Sequence, residues 1–193
     1  MRWARLVLAV ALLGGCSGGR DDDTLPPPAT TSSTTADYSV PEVIDVAYVE
    51  RVMAALDHVY GDAIRTLSTE RTINEEFLNR LKAIYTRQQF AFWQDVWVKD
   101  AAEGLHGLRS EPGDPKTLFR ELVIATPTCV LARVDRDFSS VNEQPDRPTP
   151  QEFIALVPAV SQQEFNPTPW IISFDGYVSS PEGAQPEAPC DAS

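Results

Sequence analysis

The residues able to do chemistry are few and scattered. Of two histidines, His58 has Asp57 beside it and Asp62 four residues on, and a histidine–carboxylate pair is what general-base catalysis uses. On a helix, however, adjacent residues face different ways. Positions four apart are neighbours, so His58 and Asp62 make an ordinary surface contact. His106 sits in a loop between Gly104 and Gly107. Asp135, Asp137 and Asp175 could face a pocket, but they read more simply as strand-end acids in an acidic chain. His, Cys, Asp and Glu nowhere take the spacing of a zinc or EF-hand site. A glycine-rich phosphate loop and a Gly-x-Ser-x-Gly elbow are also missing, so the expectation is no metal and no cofactor. Cys129 has no histidine near it in sequence and has Cys190 available as a partner, which argues against a nucleophilic thiol.

The third cysteine carries the strongest signal. Arg2 and Arg5 precede the apolar run Leu6–Leu13, the layout of a secretory signal and about half the ~20 residues that span a bilayer. The run ends in Leu13-Gly14-Gly15-Cys16, which resembles the lipobox of bacterial lipoproteins. That resemblance implies a signal peptide over 1–15, cleavage after Gly15, diacylglycerol on the Cys16 thiol and acylation of the new amino terminus. The expected location is extracytoplasmic, with lipid on Cys16 holding the protein to the outer face of the cell membrane. Arginine in place of lysine, with abundant Ala, Asp and Pro, suggests a high-GC actinobacterial source.

Cleavage would remove Arg2 and Arg5 and no acid, leaving 14 basic against 28 acidic side chains, a net charge of −14. A body so charged is repelled by nucleic acid and anionic lipid, which sets nucleic-acid binding aside. Cys129 and Cys190 form an even pair in an exported chain and are expected to be a disulfide. Residues 16–40 contain Asp21–Asp23, Pro26–Pro28 and a Ser/Thr block without hydrophobic periodicity, so they read as a solvated tether. Residues 179–193 read as an irregular proline-rich tail.

Between these lies one domain, 41–178. Ser39-Val40-Pro41-Glu42 has the form of a capping box, and apolar residues recur at helical spacing from Ile44 to Leu67, predicting a helix over about 41–67. Gly61 weakens it and marks a bend. A second cap at Thr72–Glu75 predicts a longer helix over about 74–103, ended by Gly104 and Gly107. Its second half is crowded with aromatics. These are core against a sheet or, on the alternative reading, the lining of a ligand cavity formed by Tyr85, Trp93 and Trp97. Asp114-Pro115 looks like a helix cap leading into a strand at 118–125, a stretch whose period is ambiguous. Strands follow at 130–135, 153–157 and 170–175, the last two with rigid loops of proline before them.

Two amphipathic helices then three or four consecutive strands predict an α+β fold, with the helices on one face of a curved antiparallel sheet. Order and size resemble the nuclear-transport-factor-2-like, or cystatin-like, cone fold, over about 41–178 and by topology alone. The strand usual between the second and third helices of that fold is not evident. The resemblance implies a sheet wrapped round a long helix, sometimes about a cavity, and pairing into a homodimer through the sheet. Three functions follow as expectations. The leading one is a non-enzymatic accessory domain that docks on a protein partner in the envelope. Next come a carrier of a small apolar ligand and an enzyme using an Asp or His in a pocket.

Overall fold

The computed structural model describes residues 38–143, 152–177 and 188–190. Cys16, the expected signal peptide over 1–15, the expected tether up to residue 37 and most of residues 179–193 lie outside the described residues. The elements are α1 (Val46–Glu70), α2 (Glu75–Ile84), α3 (Arg87–Ala102), β1 (Lys116–Thr126), β2 (Cys129–Asp137), β3 (Glu152–Pro158) and β4 (Trp170–Tyr177). The strands form one open antiparallel sheet in the order β1-β2-β3-β4, so the class is α+β with helices packed on the sheet. No helix among the described residues is long and apolar enough to cross a membrane.

The first helix begins later than its sequence suggests. Its cap is Asp45, whose side chain accepts from the Tyr48 amide at 2.7 Å, and the Ser39 capping box is not used. Gly61 has a packing role. A Cβ there would stand 2.1 Å from Asp114 Oδ1 and 3.0 Å from its Cα, so only glycine admits the 113–115 loop against α1.

The long second helix is two helices. After Ile84 the chain extends, Tyr85 makes a parallel bridge to Ile172, and the Thr86 amide donates to the Ile172 carbonyl at 2.9 Å. Thr86 then caps α3. Pairing with the sheet edge outweighs two residues of helix, and no proline or glycine announces it. A faint sign does exist: Thr86-Arg87-Gln88-Gln89 has the capping-box form. At the other expected cap the sequence is close, with Asn74 accepting from the Phe77 amide.

The expected helical turn after Asp114-Pro115 does not form, because strand β1 runs from Lys116. Two bulges explain the ambiguous period. Phe119, Leu122 and Ala125 pair with Val134, Ala132 and Val130, so residues three apart share one face. A strand with two bulges thus carries a nearly helical spacing.

The core lies between the helices and one sheet face, where Val130, Ala132, Val134, Ile154, Leu156, Trp170 and Ile172 meet Val52, Leu56, Ile64, Phe77 and Leu81. Each such fully buried side chain contributes roughly 1.5–3 kcal/mol. Trp170 anchors it by donating its indole N–H to Tyr48 Oη at 2.8 Å. Asn166 fixes the preceding proline loop: its amide donates to the Ala83 and Trp170 carbonyls, and its oxygen accepts from Thr168. Leu131, Phe153 and Ala155 form a smaller cluster on the opposite face. Cys129, at the start of β2, is joined to Cys190, with Cα atoms 5.5 Å apart. This clips the tail to the β1–β2 hairpin.

Candidate functional site

A cavity of about 310 Å³ opens between α3 and two loops, 105–108 and 138–142. Tyr60 of α1 and Trp93, Val96, Trp97 and Asp100 of α3 form its walls, with Leu105, Leu108, Phe138 and Val141 from the loops. Local structure explains the loop positions. Beyond α3, Gly104 takes φ +90° and Leu105 φ 56°, a left-handed conformation that disfavours a bulky side chain by ~1–2 kcal/mol. Leu105 is nonetheless held there with its side chain buried. Stitching between the loops keeps it so. The Arg109 and Glu143 amides donate to the Val141 and Gly107 carbonyls, Arg109 Nε reaches the carbonyls of Ser139 and Asn142, and Arg71 caps the Gly104 carbonyl. Strained backbone held by such a network is characteristic of binding sites.

Two hydrogen-bond donors are sealed within the wall. Trp93 Nε1 and Trp97 Nε1 are buried and have no hydrogen-bond partner among the described residues. A buried N–H left without an acceptor costs ~1–3 kcal/mol. Asp100 is exposed, and its carboxyl is pushed up by partial burial and by the nearby Glu103.

Behind Tyr60 and Phe138 lies a buried charge cluster. Arg136 Nη2 is 3.3 Å from Asp57 Oδ1, and its Nη1 is 3.9 Å from Asp175 Oδ2, an ion pair too long for a hydrogen bond. Asp57 also accepts from the Thr117 amide at 2.8 Å, and Asp175 from Tyr85 Oη at 3.3 Å. The guanidinium sits 5.2 Å from the Phe138 ring centroid. Burial pushes Asp57 up against the pull of Arg136, and burial together with the Asp175 charge pushes the Tyr85 phenol up. Glu152 accepts from the Arg136 amide at 3.2 Å; burial first, then the Asp175 charge, raises it to about 7.

The sequence-derived candidates distribute as follows. Trp93 and Trp97 line the cavity. Tyr85 does not: it stands behind Trp93, with ring centroids 6.4 Å apart, and its hydroxyl is turned to Asp175. The extended break before α3 is what carries it inward. His58 and Asp57 part company, as helix geometry requires. His58 Nδ1 lies 2.9 Å from Asp114 on the surface, with Asp62 at 3.8 Å, whereas Asp57 is in the core. Asp135 pairs with Arg120 and Asp137 accepts from the Ser139 amide, so both serve strand pairing or a turn. His106 lines the cavity rim. Among the described residues no cluster of His, Cys, Asp and Glu could hold a metal.

Sequence reasoning missed Arg136, Asp175 as a core residue, and Tyr60. Arg136 was readable, since it continues the inward series Val130, Ala132, Val134. Asp175 was not. A bulge makes Leu156 pair with Ile172 but Ala155 with Phe174, so Phe174 turns to the outer face and Asp175 turns in. No protein-family model, curated protein or solved structure matches this chain.

Proposed function

We propose that this chain is an envelope lipoprotein, anchored by lipid on Cys16, whose body binds a small, largely apolar molecule in the cavity beside α3. The observation that carries the reading is the cavity's makeup: apolar and aromatic walls drawn from α1, α3 and two loops around a space of small-molecule size. The resemblance to the cone fold supports it.

A protein-docking role is the second reading. It is favoured by β1, which lies at the sheet edge and has no strand on its outer side among the described residues. Pairing of two copies there would give a homodimer.

The ligand reading is tested with N-phenyl-1-naphthylamine, a neutral fluorescent probe, added to the full chain. Saturable emission that falls in Val96→Trp, which fills the cavity, is the expected result. Emission unchanged by that substitution places the probe elsewhere and defeats the reading. The anchor is tested by Cys16→Ala, which should move the protein out of the membrane fraction; retention there would overturn it.

A further inference from the structure

Resting on that reading, we propose that the cavity takes a small organic ammonium, with the cation held among Tyr60, Trp93 and Trp97 beside Asp100. Three ligand classes can be weighed against the walls. An anion would enter a site whose lining has a carboxylate and neither lysine nor arginine. The Arg136 guanidinium lies across Phe138 and is already flanked by Asp57 and Asp175, while Arg109 and Arg71 are bonded to loop carbonyls, so they offer an anion little. A bare hydrocarbon would add nothing for Asp100. A cation gains from Asp100 and from the aromatic walls.

Aromatic faces attract ammonium groups through their quadrupole, most strongly for tryptophan and most of all when water is excluded. Phe138 is left out of the cage because Arg136 already occupies its neighbourhood. Electrostatics point the same way. The Tyr60 phenol is pushed up, by burial first and then by Asp175, Asp100 and Asp57 against the opposing pull of Arg136. Carboxylates thus act on Tyr60 both from the core and from the cavity mouth. At about 310 Å³ the space is at the small end of the ~300–1,000 Å³ usual for small-molecule sites.

Three probes separate the contributions, read by tryptophan fluorescence on the full chain. Choline has cation and hydroxyl. Its carbon isostere 3,3-dimethylbutan-1-ol keeps shape and hydroxyl but has no charge. Tetramethylammonium keeps the charge but has no acceptor. Choline should bind saturably and at least tenfold more tightly than the isostere, with tetramethylammonium close to choline. Asp100→Asn, an exposed and nearly isosteric change, should weaken choline at least fivefold and leave the isostere unaffected. Equal binding of choline and isostere would overturn the cation while leaving the ligand cavity standing. Naphthylamine binding in the cavity without choline binding would do the same. Failure of every probe, the neutral dye included, would bring down the cavity reading itself.

Discussion

Two charge clusters grow from adjacent residues of α1 and have opposite physics. Asp57 turns inward to Arg136, whose side chain is only 2% exposed, with Asp175 and Glu152 nearby. His58 turns outward, at 61% exposure, into a cluster in which Arg65 bridges Asp114 and Asp62 and Arg80 also pairs with Asp62. The outer cluster has more and shorter contacts. Arg65 reaches Asp62 at 2.6 Å and Asp114 at 2.7 Å, against 3.3 and 3.9 Å for Arg136. Contact distance is nevertheless a poor guide to energetic weight. Water screens the outer charges, and exposed pairs contribute roughly 0–1 kcal/mol each. In the core no water replaces a lost partner, so removing one ion strands the others.

The largest effect should come from Arg136→Leu. It leaves Asp57 and Asp175 buried without their cation and should cost about 3–5 kcal/mol. Denaturant unfolding checks this, and a loss below about 1 kcal/mol would place the two clusters on the same footing.

Glu152→Gln should act in the opposite direction. An acid whose pKa rises from 4.5 to about 7 on folding favours the protonated fold. Its contribution is fully present below pH 4.5 and is lost as pH climbs through 7. The amide cannot ionise and can still accept from the Arg136 amide, so the variant should melt a few degrees above wild type at pH 8 and level with it at pH 4. A gap that persists at pH 4 would show that the gain is not electrostatic.

The smallest effect belongs to the surface. Partial burial raises the Asp114 carboxyl, but hydrogen bonds from His58 and Arg65 outweigh this and hold it below its ordinary value. His58→Ala should nonetheless shift the melting temperature by less than about 3 °C, and less again in 1 M salt. A salt-insensitive loss larger than that would mean the outer cluster pins the 113–115 loop onto Gly61 more firmly than screening allows.

Much of the frame was legible in the chain. Helical periodicity located α1, period-two alternation located β2 and β4, and order alone gave the α+β class, because burying one face of an amphipathic element is a local pattern with a global consequence. The tryptophans of the cavity were legible as a cluster. What they faced was not, since filled core and lined cavity share one periodicity.

Tertiary structure alone decided the rest, at places where a backbone irregularity changes which side chain looks inward. The extended pair Tyr85–Thr86 split one predicted helix and sent Tyr85 behind the cavity wall. Bulges in β1 gave a strand a nearly helical spacing, and the bulge in β4 exchanged Phe174 for Asp175 on the core face. Alternation along a strand is a rule about residue count. An inserted residue inverts it from that point on, and whether one is inserted is set by the neighbouring strand, tens of residues away. The sequence by itself therefore determined the α+β class and the course of most elements, together with an acidic composition and an even pair of cysteines for one disulfide. The meeting of Asp57, Arg136 and Asp175, and the space beside Trp97, came from the packing of those elements.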